Sequence, residues 1–186
     1  MIMSTNTEVK TAGSSANKTK TMALIGVMAA VTCILGPLSL AIPVSPVPIS
    51  LTNLAVYFAI YVLGMKRGTI SYCIYLLLGL IGLPVFAAFT GGAGKLFGPT
   101  GGYLIGFIFM ALICGFFIEK WEKKLYMHFI GMVLGTAWLA YTAHMGFAAA
   151  LAAGVIPFIP GDLVKIIIAM IAGPIIRKQL KRAGLN

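Results

Sequence analysis

The chain has 186 residues, of which 60% are hydrophobic and only 10% are charged, whereas soluble domains carry about 25% charged residues. With a mean hydropathy of +1.00, this composition excludes an ordinary soluble domain and predicts an integral membrane protein. The formal net charge of +10 sits in short Lys/Arg clusters between apolar runs and forms no basic stripe, which indicates membrane topology and no nucleic-acid partner.

Four uncharged runs are each long enough to cross a bilayer, which takes about 20 helical residues. They cover residues 21–65, 68–94, 96–118 and 125–161. The cysteines lie inside these runs without CxxC spacing, which predicts small buried side chains and neither disulfides nor metal ligands: Cys33, Cys73 and Cys114.

The N-terminal part of the chain divides into a polar segment and an apolar one. Residues 1–20 are predicted to be a mobile cytoplasmic tail, and residues 21–186 a single membrane domain. The first helix is predicted from Thr21 to Ile42, loosened at Gly36-Pro37. This stretch also resembles a secretory signal, but apolar residues continue past the candidate cleavage site.

Five further helices are predicted after the extended, proline-rich PVSPVPIS stretch at residues 43–50. A tight loop at Lys66-Arg67 separates the second helix from the third. The segment between the fifth and sixth helices is rich in Ala and Gly and is placed at the membrane boundary. The five predicted helices run from Leu51 to Leu63, Thr69 to Pro84, Tyr103 to Ile118, Leu125 to His144, and Pro160 to Arg177.

Six crossings place both termini on one side of the membrane, and the positive-inside rule makes that side the cytoplasm. Twelve of the fourteen basic residues then face inward. They are Lys10, Lys18, Lys20, Lys66, Arg67, Lys120, Lys123, Lys124, Arg177, Lys178, Lys181 and Arg182.

The glycine-rich stretch FTGGAGKLFGPTGGY, residues 89–103, superficially resembles a phosphate-binding P-loop. That motif needs a glycine where Phe89 stands and a Ser or Thr where Leu96 stands. The stretch also faces outward, away from cytosolic ATP. Its glycines, Gly91 and Gly92 among them, therefore allow a close backbone approach either to a neighbouring helix or to a ligand.

Two charged residues lie inside the membrane in the sixth helix. Lys165 is about 18 Å along the helix from Arg177, within a hydrocarbon core of about 30 Å. Asp162 lies on the same helical face. The two could form a structural ion pair, or they could face a cavity in which the ammonium meets a ligand anion and the carboxylate accepts ligand N–H groups.

Other polar and aromatic residues reach the same outer level. Thr52 and Asn53 begin the second helix, as ligand contacts or as helix caps. Tyr103, Tyr141 and His144 are outer aromatic residues, which are typical of a membrane-interface belt or a ligand site.

The first helix carries a small-residue face. Ala23, Gly26 and Ala30 leave room for another helix to approach, within this chain or on a partner.

Four motifs together resemble the BioY family, the biotin-specific S components of energy-coupling factor (ECF) transporters. They are PVSPVPISLTNL, LLLGLIGLPVF, GPTGGYLIGF and PFIPGDLVK, and the resemblance extends from Ala23 to Ile176. It implies an all-α bundle of six transmembrane helices in the bacterial cytoplasmic membrane. This subunit would bind biotin with high affinity and assemble with a membrane coupling (T) subunit and two ATPase subunits. It would need no cofactor or metal, and ATP would bind only to the partners.

The resemblance also implies roles for particular residues. Asp162 and Lys165 match the polar positions of the PGDxxK motif, and Gly91, Gly92 and Tyr103 match the glycine loop and GPTGGY. Gly26 and Ala30 match the Ala-x-x-x-Ala coupling motif with Gly first, while Thr52-Asn53 replaces a common Gln-Thr. The expected substrate contacts are Asp162, Lys165, Asn53, Thr52, Phe89, Gly91, Gly92, Tyr103 and Tyr141, and the expected partner contacts are Ala23, Gly26 and Ala30.

Two other functions were weighed against this one. The first is an S component for another small vitamin-like solute, since only the resemblance points to biotin. The second is a membrane hydrolase with His144, Asp162 and Ser45 or Ser50 as a triad, which no nucleophile signature supports. The chain has neither inverted repeats nor ATPase motifs, which argues against a self-sufficient transporter.

Overall fold

The protein is a helical bundle. The computed structural model describes residues 5–41, 43, 48–121, 140–141, 144 and 146–185. Two short antiparallel strands are β1 (Ser39–Leu40) and β2 (Ile49–Ser50), and single 3-10 turns occur at Ala87–Phe89 and Ile156–Phe158. The described helices are α1 (Thr5–Leu35), α2 (Thr52–Leu63), α3 (Met65–Leu80), α4 (Ala93–Leu96), α5 (Gly101–Trp121), α6 (Phe147–Gly154) and α7 (Ile159–Arg182).

Helix α2 lies at the centre of the bundle and packs against α1, α3, α5 and α7. Beyond its first turn the sequence is apolar all round, as expected for a helix without a solvent face. Small residues allow close packing here, because a side chain at Gly68 would lie 3.0 Å from the Ala59 backbone. The twelve residues of α2 rise about 18 Å, less than the hydrocarbon thickness of about 30 Å. Its polar first turn therefore lies inside the bundle.

Helix α7 has two faces of different polarity. Its buried face carries Asp162, Lys165, Ile166, Ala169 and Gly173. Its other face exposes large aliphatic side chains, including Val164, Ile167, Ile171 and Ile175. An apolar exposed face next to a face with buried charges is the arrangement expected for a helix between lipid and a polar interior.

Several helices are long and apolar enough for a membrane. Two stretches of the described residues contain helices that are long and hydrophobic enough to span a membrane: Lys18–Leu35 and Ala148–Arg182. Thr52–Leu63 and Gly101–Ile113 are shorter apolar helices. The helical, membrane-compatible fold that composition predicts is confirmed.

The first predicted helix is wrong at both ends. Helix α1 begins at Thr5, so it includes residues 5–20, which the prediction placed before the helix. It ends at Leu35, because Gly36-Pro37 stops it instead of loosening it. The residues up to position 42 that were assigned to this helix include strand β1.

The predicted tight loop at Lys66-Arg67 is also wrong, since both residues lie in the first turn of α3. Gly64 alone connects α2 to α3, with a φ of 82° that glycine adopts without strain. Helix α3 accordingly starts at Met65 and ends at Leu80, a few residues earlier than predicted at each end.

The last two predicted helices have different outcomes. The predicted fifth helix, Leu125 to His144, lies outside the described residues except for residues 140–141, which are helical, and His144, which is in a turn. The sixth helix is confirmed and extends to Arg182. The Ala- and Gly-rich boundary segment contains α6, for which no helix was predicted.

Candidate functional site

A buried polar cluster joins the start of α2 to the start of α7. The Lys165 ammonium lies 3.2 Å from Asp162 Oδ1, and Asn53 Nδ2 donates to the same oxygen at 2.6 Å. Lys165 also donates to the Ser50 carbonyl of β2 at 2.7 Å. Asp162 and Lys165 are only 6% and 7% exposed. The cluster therefore offers ammonium, carboxylate and amide groups inside a low-dielectric interior.

Local sequence places these side chains. Pro160 is in the first turn of α7, a position that proline favours. Asp162 follows in the same turn, where the helix dipole stabilises a carboxylate. The interpretation of Thr52 or Asn53 as a helix cap is wrong, because Leu51 is the cap residue of α2 and no side chain caps the helix.

The polar cluster lines a cavity of about 680 Å³, a volume that includes space open to solvent. Most of the rest of the lining is apolar or aromatic. A largely apolar cavity with a few convergent polar groups is typical of a small-molecule site. The lining residues are Pro48, Ser50, Thr52, Asn53, Phe86, Ala87, Lys95, Thr100, Tyr103, Leu104, Phe107, Phe158, Asp162 and Lys165.

Two aromatic rings of the cavity lining are supported from behind by α3. Phe86 packs edge-on against Tyr75 with centroids 5.6 Å apart, and Phe107 packs against Tyr72 at 6.3 Å. A side-chain carbon at Gly79 would lie 2.1 Å from the Phe86 ring, so glycine is required there. These contacts hold the rings of the lining in one orientation.

The connections beside the cavity are tied to one another by hydrogen bonds. The backbone N–H of Ala88 donates to Ser39 Oγ at 2.9 Å and to the Pro37 carbonyl at 3.1 Å. The Ser50 hydroxyl donates to Thr52 at 3.1 Å. The β1–β2 hairpin and the α3–α5 connection therefore pack together beside the cavity.

The structure brings five of the nine predicted substrate contacts together around the cavity. Asp162, Lys165, Asn53, Thr52 and Tyr103 line it. Asp162 and Lys165 form the ion pair of the first sequence interpretation and also line a cavity, so the pairing does not remove them from a ligand site.

The other four predicted contacts lie outside the cavity lining. Phe89 is 68% exposed and Tyr141 is 77% exposed. Gly91 packs against the Leu83 carbonyl, where a side-chain carbon would come within 2.3 Å. Gly92 has a φ of 91° and leads into α4. Gly91 thus allows a close backbone approach to the connection after α3, and Gly92 supplies the positive φ of the loop.

Sequence reasoning assigned no binding role to most of the aromatic lining. The sequence does contain a pattern that could have identified the lining residues of α5, the i, i+3, i+4, i+7 spacing of one helical face. The residues with this spacing are Thr100, Tyr103, Leu104 and Phe107. Phe86 and Phe158 lie within the GLPVF and PFIPGD motifs but have no local periodicity. Only their tertiary packing identifies them.

The residues proposed for other chemistry are not assembled. His144 is exposed and does not line the cavity that contains Ser50 and Asp162, so the triad that includes Ser50 does not form, and Ser45 lies outside the described residues. Cys33 and Cys73 are free thiols. In the part of the chain that the structure describes, no three His, Cys, Asp or Glu side chains are grouped as a metal site would require.

The small-residue face of α1 points away from the bundle. Ala23, Gly26 and Ala30 are exposed, and a side chain added at Gly26 would meet nothing within 4 Å. Ala29, by contrast, is 2% exposed and lies in the core. The exposed residues are therefore available to a partner helix or to lipid.

Known proteins resemble this chain over most of its length. A sequence profile of the BioY family matches residues 5–182. The biotin transporter BioY of Thermotoga maritima is 42% identical over 137 residues, which cover 70% of this chain and 80% of that protein. The biotin transporter BioY of Lactococcus lactis subsp. cremoris is 35% identical over 184 residues, which cover 91% of this chain and 95% of that protein.

A solved structure has the same fold. The crystal structure of the S-component for biotin from an ECF-type ABC transporter superposes with a TM-score of 0.79 at 34% identity. The superposition covers 87% of this chain and 92% of that one.

Proposed function

This chain belongs to the BioY family, and we propose that it is the biotin-binding S component of an ECF-type ABC transporter that imports biotin. The observation that carries the proposal is the buried Asn53–Asp162–Lys165 cluster at one side of an aromatic cavity. BioY proteins are transport subunits, so the proposal includes no enzymatic activity of its own.

The chemistry of the cavity matches that of biotin. The fused ring of biotin carries a ureido group with one carbonyl acceptor and two N–H donors, and its sulfur ring and side chain are apolar. Asp162 can accept from an N–H group, while Lys165 and Asn53 can donate to the carbonyl. The Phe86, Phe107 and Phe158 rings suit the apolar parts.

This pose revises the sequence expectation for Lys165. Its ammonium already donates to Asp162 and to the Ser50 carbonyl. We therefore place the ureido carbonyl of biotin at this ammonium, and the ligand carboxylate elsewhere.

The proposal extends to partners and location. A coupling subunit would contact the exposed Ala23, Gly26 and Ala30 face of α1, and two ATPase subunits would complete the complex. The termini and the inner ends of the helices would be cytoplasmic, in the cytoplasmic membrane of a bacterium, as the distribution of basic residues favours.

Native mass spectrometry of the protein purified in detergent tests the substrate, with biotin expected as a co-purified mass. Lipoate is the matched competitor, because it has the same carboxylate chain but no ureido group. Biotin, but not lipoate, should bind to ligand-free protein in titration calorimetry. Equal binding of both would favour an S component for another carboxylate solute.

A further inference from the structure

The charged groups around the cavity do not balance. Among the residues that the structure describes, three charged side chains line it: Asp162, Lys165 and Lys95. The first two form an ion pair at 3.2 Å. Their opposite charges largely cancel for a group elsewhere in the cavity. The described part of the lining keeps one positive charge, which comes from Lys95.

Lys95 has no partner for that charge among the described residues. In the described part of the chain its ammonium makes no hydrogen bond or ion pair. Asp162 is one of only four acidic residues in the chain, and the other three, Glu8, Glu119 and Glu122, belong to the predicted cytoplasmic side. No acidic side chain of the described region is therefore placed to neutralise Lys95.

The position of Lys95 is set by the glycine-rich connection between α3 and α5. Gly92 has a φ of 91° and precedes the single turn of α4 that carries Lys95. A side chain at Gly98 would lie 2.9 Å from the Gly94 carbonyl, so the chain folds tightly on both sides of the lysine. The stretch that resembles a P-loop thus directs its lysine to the cavity of a membrane bundle.

We propose that Lys95 binds the carboxylate of the substrate and makes the site selective for anionic ligands. The inference rests on the proposed function. A monoanion at Lys95 brings the charge of the occupied cavity to zero, and the half-buried environment of Lys95 strengthens the attraction relative to an exposed pair. The ureido ring then lies at the Asn53–Asp162–Lys165 cluster, and the carboxylate at the α4 connection.

Two ligands of nearly the same shape test this assignment. Biotin carries a carboxylate that is ionised at pH 7, whereas biotinamide is neutral. Both are titrated calorimetrically into the purified full-length protein, freed of endogenous ligand, and into Lys95→Met, Lys95→Arg and Lys165→Met. Lys178→Met, which removes a charge from the exposed far end of α7, is the matched control.

We expect Lys95→Met to bind biotin about tenfold more weakly, which corresponds to about 1.4 kcal/mol, and to bind biotinamide nearly as the unaltered protein does. The acid-to-amide affinity ratio should therefore fall towards one. In Lys95→Arg the acid-to-amide affinity ratio should stay close to that of the unaltered protein. In Lys178→Met it should be the same. Lys165→Met should weaken both ligands together, because it removes a contact to the ring they share.

The ratio is measured within each variant, so a partly folded sample does not distort it. An unchanged ratio in Lys95→Met would overturn the assignment, as would a ratio that collapses in Lys165→Met instead. If the unaltered protein binds neither ligand, the proposed function fails and the Lys95 assignment falls with it. If the unaltered protein binds biotin and Lys95→Met leaves the acid-to-amide affinity ratio unchanged, the proposed function stands and only this inference fails.

Discussion

Removal of one member of the Asp162–Lys165 pair separates a structural role from a ligand-binding role. Both residues are more than nine-tenths buried, so truncation of one leaves the charge of the other in the interior. Breaking a buried pair in this way costs about 3–5 kcal/mol. Asn53 still donates to Asp162 at 2.6 Å, and the Ser50 carbonyl still accepts from Lys165 at 2.7 Å. We therefore expect the lower value, about 3 kcal/mol, for Asp162→Asn and for Lys165→Met.

We expect the double variant Asp162→Asn/Lys165→Met to recover stability but not biotin affinity. It leaves no unpaired charge, so most of the free energy of unfolding should return. Biotin affinity should not return, because a ligand polar group that loses its buried partner costs about 2–5 kcal/mol, or roughly 30-fold or more in affinity.

The assays are an SDS titration in mixed micelles, which gives the free energy of unfolding, and calorimetric titration with biotin. Val164→Ala is the control, because Val164 is 57% exposed on the same helix turn and its truncation should change neither quantity. A double variant that recovers stability and also binds biotin normally would refute the reasoning, and would leave the pair with only the role of docking α7.

Three further predictions concern coupling, topology and the cavity. Ala30→Trp should leave biotin binding intact and weaken co-purification with the coupling subunit, whereas Ala29→Trp should destabilise the subunit itself because Ala29 is buried; normal assembly of the first variant would exclude this face of α1. In a background without native cysteines, a cysteine at Ala93 should react with an impermeant maleimide on intact cells and one at Lys178 should not, and the opposite pattern would invert the topology. Gly79→Ala should destabilise the protein by about 1–3 kcal/mol and weaken biotin binding, since its methyl group would displace an aromatic ring of the cavity; unchanged thermal unfolding and affinity would contradict that packing.

The end of α2 was predicted well, because Gly64 dictates the backbone there. The end of α1 was not, because Gly36-Pro37 ends the helix at Leu35, whereas the prediction continued it to Ile42. Boundaries were missed where charge was taken as a sign of loop. Lys66 and Arg67 lie within α3, because long basic side chains at a helix end can reach the membrane surface without interrupting the helix.

The pairing of the two charged residues was predicted from local evidence. Asp162 and Lys165 share a helical face at i, i+3 spacing, and the structure pairs them. Phe89 and Tyr141 were selected for residue type and outer position alone. Both are exposed, since depth in the membrane does not determine which side of a helix or loop faces the interior.

The sequence by itself determined the membrane class, most of the described helices and the presence of an acid and a base at one level of α7. These features follow from composition and from short-range periodicity, which depend only on neighbouring residues. The tertiary structure alone decided that Asn53 meets Asp162 across 109 positions, that the Ser50 carbonyl meets Lys165, and that Lys95 lines the same cavity. The physical reason is that the register of one helix against another is set by close contacts such as Gly68 on Ala59 and Gly79 on Phe86, and these depend on the packing of the whole bundle.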